Sequence, residues 1–141
     1  MGRWPARRLE AMRRPEPVEA VAGAVAEALA AGRDAEAIRI ALGLVQDFDK
    51  ATPDERRLMV ENRPPATGDA GYDALLAALV EHLCTGVAMP APLWVDEPDR
   101  FVEPWWFVSG LRSLHASALV ESPISFARRG VFICDGALSY A

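Results

Sequence analysis

The 141-residue chain is 51% hydrophobic, enough to bury a core within one domain, and this excludes a wholly disordered polymer. Its net charge of −5 is unevenly spread: residues 1–14 carry five arginines against Glu10, while the remainder carries 10 basic and 19 acidic side chains, an acidic body that disfavours phosphate backbones and suits a basic partner. No apolar run approaches the roughly 18 residues of a membrane span, and Met1 to Pro17 has no apolar core of a secretory signal, so the expectation is a cytoplasmic protein without membrane association. The basic residues are arginines apart from Lys50, and with abundant alanine this is the coding pattern of a high-GC bacterial genome. Cys84 and Cys134, far apart in sequence, make no disulfide framework and are expected reduced.

Residues 1–15 are expected to form a basic, flexible N-terminal tail closed off by Pro15 and Pro17. Pro17 then suits the first position of a helix over 17–31, on which Val18, Val21, Ala22, Val25, Ala26 and Leu29 recur at helical spacing until Gly32. Asp34 is placed to cap a second helix over 35–50, with Ile38, Ala41, Leu42, Val45 and Phe48 on one stripe. Thr52-Pro53-Asp54-Glu55 reads as a capping box, so a third, short helix begins at Pro53 and ends before Arg63-Pro64-Pro65. A fourth follows over 70–85, with Tyr72, Leu75, Leu76, Leu79, Val80 and Leu83 inward and Gly86 as its stop.

The run from Pro90 to Gly110 holds three of the four tryptophans, two of the five phenylalanines and four of the eleven prolines. Each large ring removes about 150 to 250 Å² from water, so this surface must be buried or bound. Prolines 90, 92, 98 and 104 forbid a long helix, which leaves an irregular strap laid across helices, with Asp96, Glu97, Asp99, Arg100 and Glu103 toward water. A fifth helix is expected over 110–121, carrying Leu111, Leu114, His115, Ala118 and Leu119 on one face. Ser122-Pro123 caps a last one through Arg129, with Gly130 as its stop. Val131-Phe132-Ile133 is β-prone but has no evident partner and is expected to be extended coil. The expected fold is therefore all-α: a single domain over 16–141, of five or six short helices wrapped by an irregular Pro/Trp-rich strap. Its first part, 16–65, is a helical hairpin with the short capped helix, and 66–141 holds the remaining elements.

Several residue groups suggest chemistry and fail on spacing. His82 and Cys84 lie two apart on a helix, roughly 200° around its axis, which is wrong for paired metal ligands, so His82, Cys84, His115 and Cys134 imply no metal. Ser113, His115 and Ser117 near Glu121 contain hydrolase residue types, but at a spacing of two on one helix and without a nucleophile elbow. The acidic corner of Asp47, Asp49, Asp54 and Glu55 lacks the alternation, the central Gly and the closing Glu of a calcium loop. No cofactor and no catalytic residue is implied. Trp105, Trp106 and Phe107 are core or interface, and Arg128 and Arg129 either dock an anionic group or complement a helix dipole. Arg3, Arg7, Arg8, Arg13 and Arg14, with Trp4, could neutralise phosphates while the ring stacks on a base.

The order Leu93-Trp94, Asp99-Arg100-Phe101, Glu103-Pro104-Trp105-Trp106-Phe107, Ala118-Leu119-Val120-Glu121-Ser122-Pro123, Phe126-Ala127-Arg128-Arg129-Gly130-Val131-Phe132 resembles the C-terminal half of small actinobacterial antitoxin-like proteins. These are often fused to an N-terminal Xre-type helix-turn-helix and paired with a nucleotidyltransferase-like or other toxin. The resemblance spans about residues 35 to 136 and carries over no catalytic residue. Residues 1–14 are too few and too polar for a helix-turn-helix, so what the resemblance implies is the toxin-binding or regulatory half. The expectation is a non-enzymatic antitoxin-like protein that binds and neutralises a protein partner, such as a basic toxin, through Phe101, Trp105, Trp106, Arg128 and Arg129. The alternatives are a nucleic-acid-binding regulator using the N-terminal arginines and an enzyme of unrecognised type.

Overall fold

A computed structural model describes residues 15–103, 105–108, 115–134 and 137–138. The expectations for residues 1–14, for Pro104 and for the start of the fifth helix at 110–114 lie outside the described residues. The helices are α1 (Val18–Ala30), α2 (Asp34–Lys50), α3 (Pro53–Val60), α4 (Ala70–Gly86), α5 (His115–Glu121) and α6 (Ile124–Ala127). Two 3₁₀ turns, Leu93–Asp96 and Pro98–Arg100, and two short strands, β1 (Trp106–Phe107) and β2 (Val131–Phe132), complete the described elements. The fold is all-α with one small parallel strand pair, and none of its described helices is long and apolar enough to cross a membrane.

Everything is built around α4. From Gly71 to Val80 this helix is buried on nearly every side, as a helix apolar all round must be. Leucines supply its bulk, while Ala74, Ala77 and Ala78 have no exposure and let neighbours approach closely. The α1–α2 hairpin, the two 3₁₀ turns, α6 and β2 all pack against it. Its N-terminus is secured by Asp69, whose Oδ1 accepts from the amides of Gly71 at 2.8 Å and Tyr72 at 3.2 Å. Asp73 reaches back to accept from the Thr67 amide and hydroxyl, both at 2.8 Å. The Asp69 bonds satisfy donors that the first turn cannot pair internally, and the Asp73 bonds tie the incoming chain at Thr67 to that turn.

Local signals behaved unequally. The capping box forms in full at α3: the Thr52 amide donates to Glu55 Oε1 at 2.8 Å and the Glu55 amide to Thr52 Oγ1 at 3.2 Å. Gly32 takes φ +73° after α1, as a helix stop should. Asp34, by contrast, is not a side-chain cap; α2 starts at Asp34 itself, and the residue before it, Arg33, makes no capping bond. Gly86 is the last residue of α4, and the left-handed position falls two residues later, on Ala88 at φ 55°. Ser122 does not cap α6 either. Its hydroxyl is shared between the Ala118 and Ile133 carbonyls and accepts from the Ile133 amide at 2.8 Å, so it ties the end of α5 to the chain after β2.

Two expectations about the strap need correction. Residues 131–132 are not unpaired coil: β2 lies parallel to β1, with Trp106 opposite Val131 and Phe107 opposite Phe132. The partner was the strap itself, whose prolines disguise its strand character. Arg100 does not face water; it is 1% exposed, with Nη2 donating to the Pro64 carbonyl at 3.0 Å and Nη1 to the Asp73 carbonyl at 3.3 Å. Its guanidinium lies 5.0 Å from the Trp94 ring centroid, and Trp94 Nε1 donates to the Val60 carbonyl at the end of α3 at 2.8 Å. The strap is thereby pinned to the end of α3, the linker after it and the first turn of α4 by the Trp94 and Arg100 side chains.

Candidate functional site: the strap face

The strap meets β2 along a ladder of amides. Val102 donates to the Arg129 carbonyl at 2.8 Å, Trp106 to Gly130 at 2.8 Å and Val108 to Phe132 at 3.0 Å. The close approach depends on Gly130, which has φ +77° and sits so near the Val102 carbonyl oxygen that a Cβ would lie 2.4 Å from it. The alternation of β1 then sorts the aromatic run. Trp106 turns onto α4, half-buried, with its ring 5.0 Å from Tyr72 and close over Gly71, where a Cβ would come within 2.9 Å. Phe107 stacks on Phe132 at 5.3 Å and on His115 at 4.0 Å. Trp105 stands outward, 64% exposed, leaning edge-on against Phe132 at 4.9 Å.

The two consecutive arginines also divide. Arg129 is 1% exposed, and its Nη1 donates to the Ser125 carbonyl at 2.7 Å and its Nη2 to Val95 at 2.9 Å. The same Nη2 pairs with Glu81 Oε2 at 2.5 Å and with Asp96 Oδ1 at 3.5 Å, while Nε has no partner among the described residues. Arg128 lies on the surface, with Nε donating to Glu81 Oε1 at 3.1 Å and Nη2 bridging Glu81 Oε2 and Asp96 Oδ1. Both guanidiniums face the Phe101 ring, at 5.4 Å and 5.3 Å.

The electrostatics follow from this crowding. Burial alone would raise the Glu81 carboxyl, but hydrogen bonds and charge from Arg128 and Arg129 outweigh it and hold the group below the ordinary carboxylate range. Glu81 and Asp96 raise Arg128. Burial lowers Arg129, opposed by Glu81. Arg129 is thus an internal strut between α4, the first 3₁₀ turn and α6, and it is not accessible as a partner-binding donor.

What remains outside is a face with a defined make-up. Of the exposed large hydrophobic side chains among the described residues, Leu93, Phe101, Trp105, Leu119 and Ile124 all come from the strap or from α5 and α6, with Leu93 at 91% and Ile124 at 74%. Arg128 links several of them. Ile124 lies one helical turn before it, Phe101 lies under its guanidinium, and its partner Asp96 is one 3₁₀ turn after Leu93. Acidic groups border the face: Asp96, Asp99 and Glu103 are exposed, and Asp99 and Glu97 share Arg63.

Of the expected partner-binding residues, the structure brings Phe101 and Arg128 together, leaves Trp105 exposed against Phe132, and buries Arg129 fully and Trp106 partly. The exposed Leu93 and Ile124 were not anticipated, because a single apolar residue beside Pro or Ser carries no periodic signal. The residues with metal or hydrolase character do not converge. His82 stands edge-on to Phe126 at 5.6 Å, Cys84 is fully buried, and among the described residues no group of three potential ligands is close enough to hold an ion. Burial, with help from Glu81, pushes the Cys84 thiol up to about 11. Ser113 lies outside the described residues. In comparison with known proteins, no family model, no curated protein and no solved structure matches this chain.

Proposed function

We propose that this chain is a non-enzymatic, antitoxin-like binding protein that neutralises a basic protein partner through its strap face. The observation that carries this reading is Trp105, a large ring held outward immediately before β1 and edge-on to Phe132, in a strap that also exposes Phe101 against the Arg128 guanidinium. Rings and arginines of this kind dominate binding energy when a partner covers them, and single apolar residues around them exclude water. Asp96, Asp99 and Glu103 would steer a cationic surface toward it. Trp106, Arg129 and Arg100 hold the face rigid from below, which reduces the ordering cost of association.

Co-expression with a growth-arresting product of a neighbouring gene tests the proposal. The chain should restore growth and co-purify with that product, and Trp105→Ala should weaken both while leaving the melting temperature nearly unchanged. Failure to associate with any neighbouring product, or full rescue by the Trp105→Ala, Phe101→Ala double variant, would overturn it. The alternative use of Arg3, Arg7, Arg8, Arg13 and Arg14 against nucleic acid has its own signature, an affinity that falls steeply with salt and disappears when those arginines become glutamine.

A further inference from the structure

At the N-terminal end of α1, a groove of about 580 Å³ opens between the chain entering that helix and the side of α3. Its apolar walls include Pro15, Pro17 and Leu58, and Leu58 is 57% exposed although a neighbouring wall residue, Met59, is buried in the core. Glu19, Asp54 and Glu61 rim it. Asp54 pairs with Arg57 at 3.6 Å, through side chains that are both largely exposed. An apolar trough with a carboxylate rim fits a cationic segment that carries large apolar side chains.

We propose that this groove receives the chain's own residues 1–14, Met-Gly-Arg-Trp-Pro-Ala-Arg-Arg-Leu-Glu-Ala-Met-Arg-Arg. Pro15 is a wall of the groove, so the segment emerges at the site itself. Its side chains sum to +4, five arginines less Glu10, against the acidic rim, and Trp4, Leu9 and Met12 supply apolar groups to cover Leu58. Direct covalent attachment gives such a segment an effective concentration on the order of millimolar, so even a weak intrinsic affinity fills the groove. A filled groove would also withhold the arginines from phosphates, making the contact a competitor of nucleic-acid binding.

The test uses the full chain and its R7Q/R8Q/R13Q/R14Q variant, in which the segment's side-chain charge falls to zero. In the native chain, cross-peaks should join the Trp4 ring to the Leu58 methyl groups, and both the Leu58 methyl and Asn62 side-chain amide signals should shift in the variant. A synthetic peptide of residues 1–14 should bind the variant saturably, and bind the native chain at least about tenfold more weakly because the tethered copy competes. Leu58→Ser, at an exposed position that leaves folding intact, should abolish the cross-peaks and weaken the peptide. Unchanged Leu58 and Asn62 signals in the four-glutamine variant would overturn the proposal. So would cross-peaks that arise only between differently labelled molecules, which would assign the groove to a second copy, or equal peptide affinity for the Leu58→Ser chain.

Discussion

At the scale of single residues, adjacent positions with the same chemistry do opposite work. Arg128 and Arg129 share Glu81 and Asp96, yet Arg129 is enclosed and Arg128 is open to solvent. Removing Arg129 leaves the Ser125 and Val95 carbonyls without their buried donor while Arg128 still pairs Glu81, so Arg129→Met should cost about 2 to 4 kcal/mol in denaturant unfolding, and Arg129→Lys should recover little because one ammonium cannot reproduce the fork to Ser125, Val95 and Glu81. Arg128→Ala, at the surface, should cost about 1 kcal/mol or less. The Glu81 carboxyl adds a pH signature. Because its folded value is depressed, its contribution is fully present above the unfolded value near 4.5 and is lost as pH falls through the lower folded value. Stability curves of the native chain and Glu81→Gln should therefore converge below that pH. A gap that stays constant into acid would show that Glu81 contributes through packing and not through its charge.

At the scale of elements, the helices were legible and their junctions less so. The third helix could be placed from Thr52-Pro53-Asp54-Glu55 because both partners of a capping box lie within four residues, and α1, α2 and α4 announce themselves by period. The parallel pairing of β1 with β2 was not legible. Each strand is two residues long, the two are joined by a long crossover, and nothing local in Val131-Phe132 names Trp106-Phe107 as its partner. Arg100 was misplaced because a charged residue among Asp99, Glu97 and Glu103 reads as solvated, and only the tertiary structure supplies the carbonyls of Pro64 and Asp73. The C-terminus of α4 yields an engineering forecast: Ala88 holds a left-handed φ of 55°, so Ala88→Gly should relieve strain and stabilise by roughly 0.5 to 1 kcal/mol. Gly130→Ala should do the reverse. Its Cβ would strike the Val102 carbonyl, breaking the strap–β2 ladder, and a drop in melting temperature of at least about 4 °C is the expected readout.

At the scale of the whole molecule, a buried helix carries two different surfaces, an aromatic strap face and an acidic groove at the start of α1. The strap is core on one side and exposed on the other. Trp94, Arg100 and Trp106, with Arg129 from the end of α6, fasten it inward, and Leu93, Phe101 and Trp105 are what it presents, with Arg128 over Phe101. The sequence could nominate Phe101, Trp105 and Arg128 by residue type, but which of two adjacent tryptophans or arginines faces outward depends on strand alternation and on the position of Glu81, neither of which is encoded nearby. Trp105→Ala tests this division most directly, with melting temperature and affinity for a co-purifying partner measured on the same preparation. The prediction is a stability loss of no more than about 1 kcal/mol together with a loss of at least about 2 kcal/mol in binding, roughly thirtyfold in Kd. A variant that unfolds early, or one that folds and binds its partner as the native chain does, would contradict it.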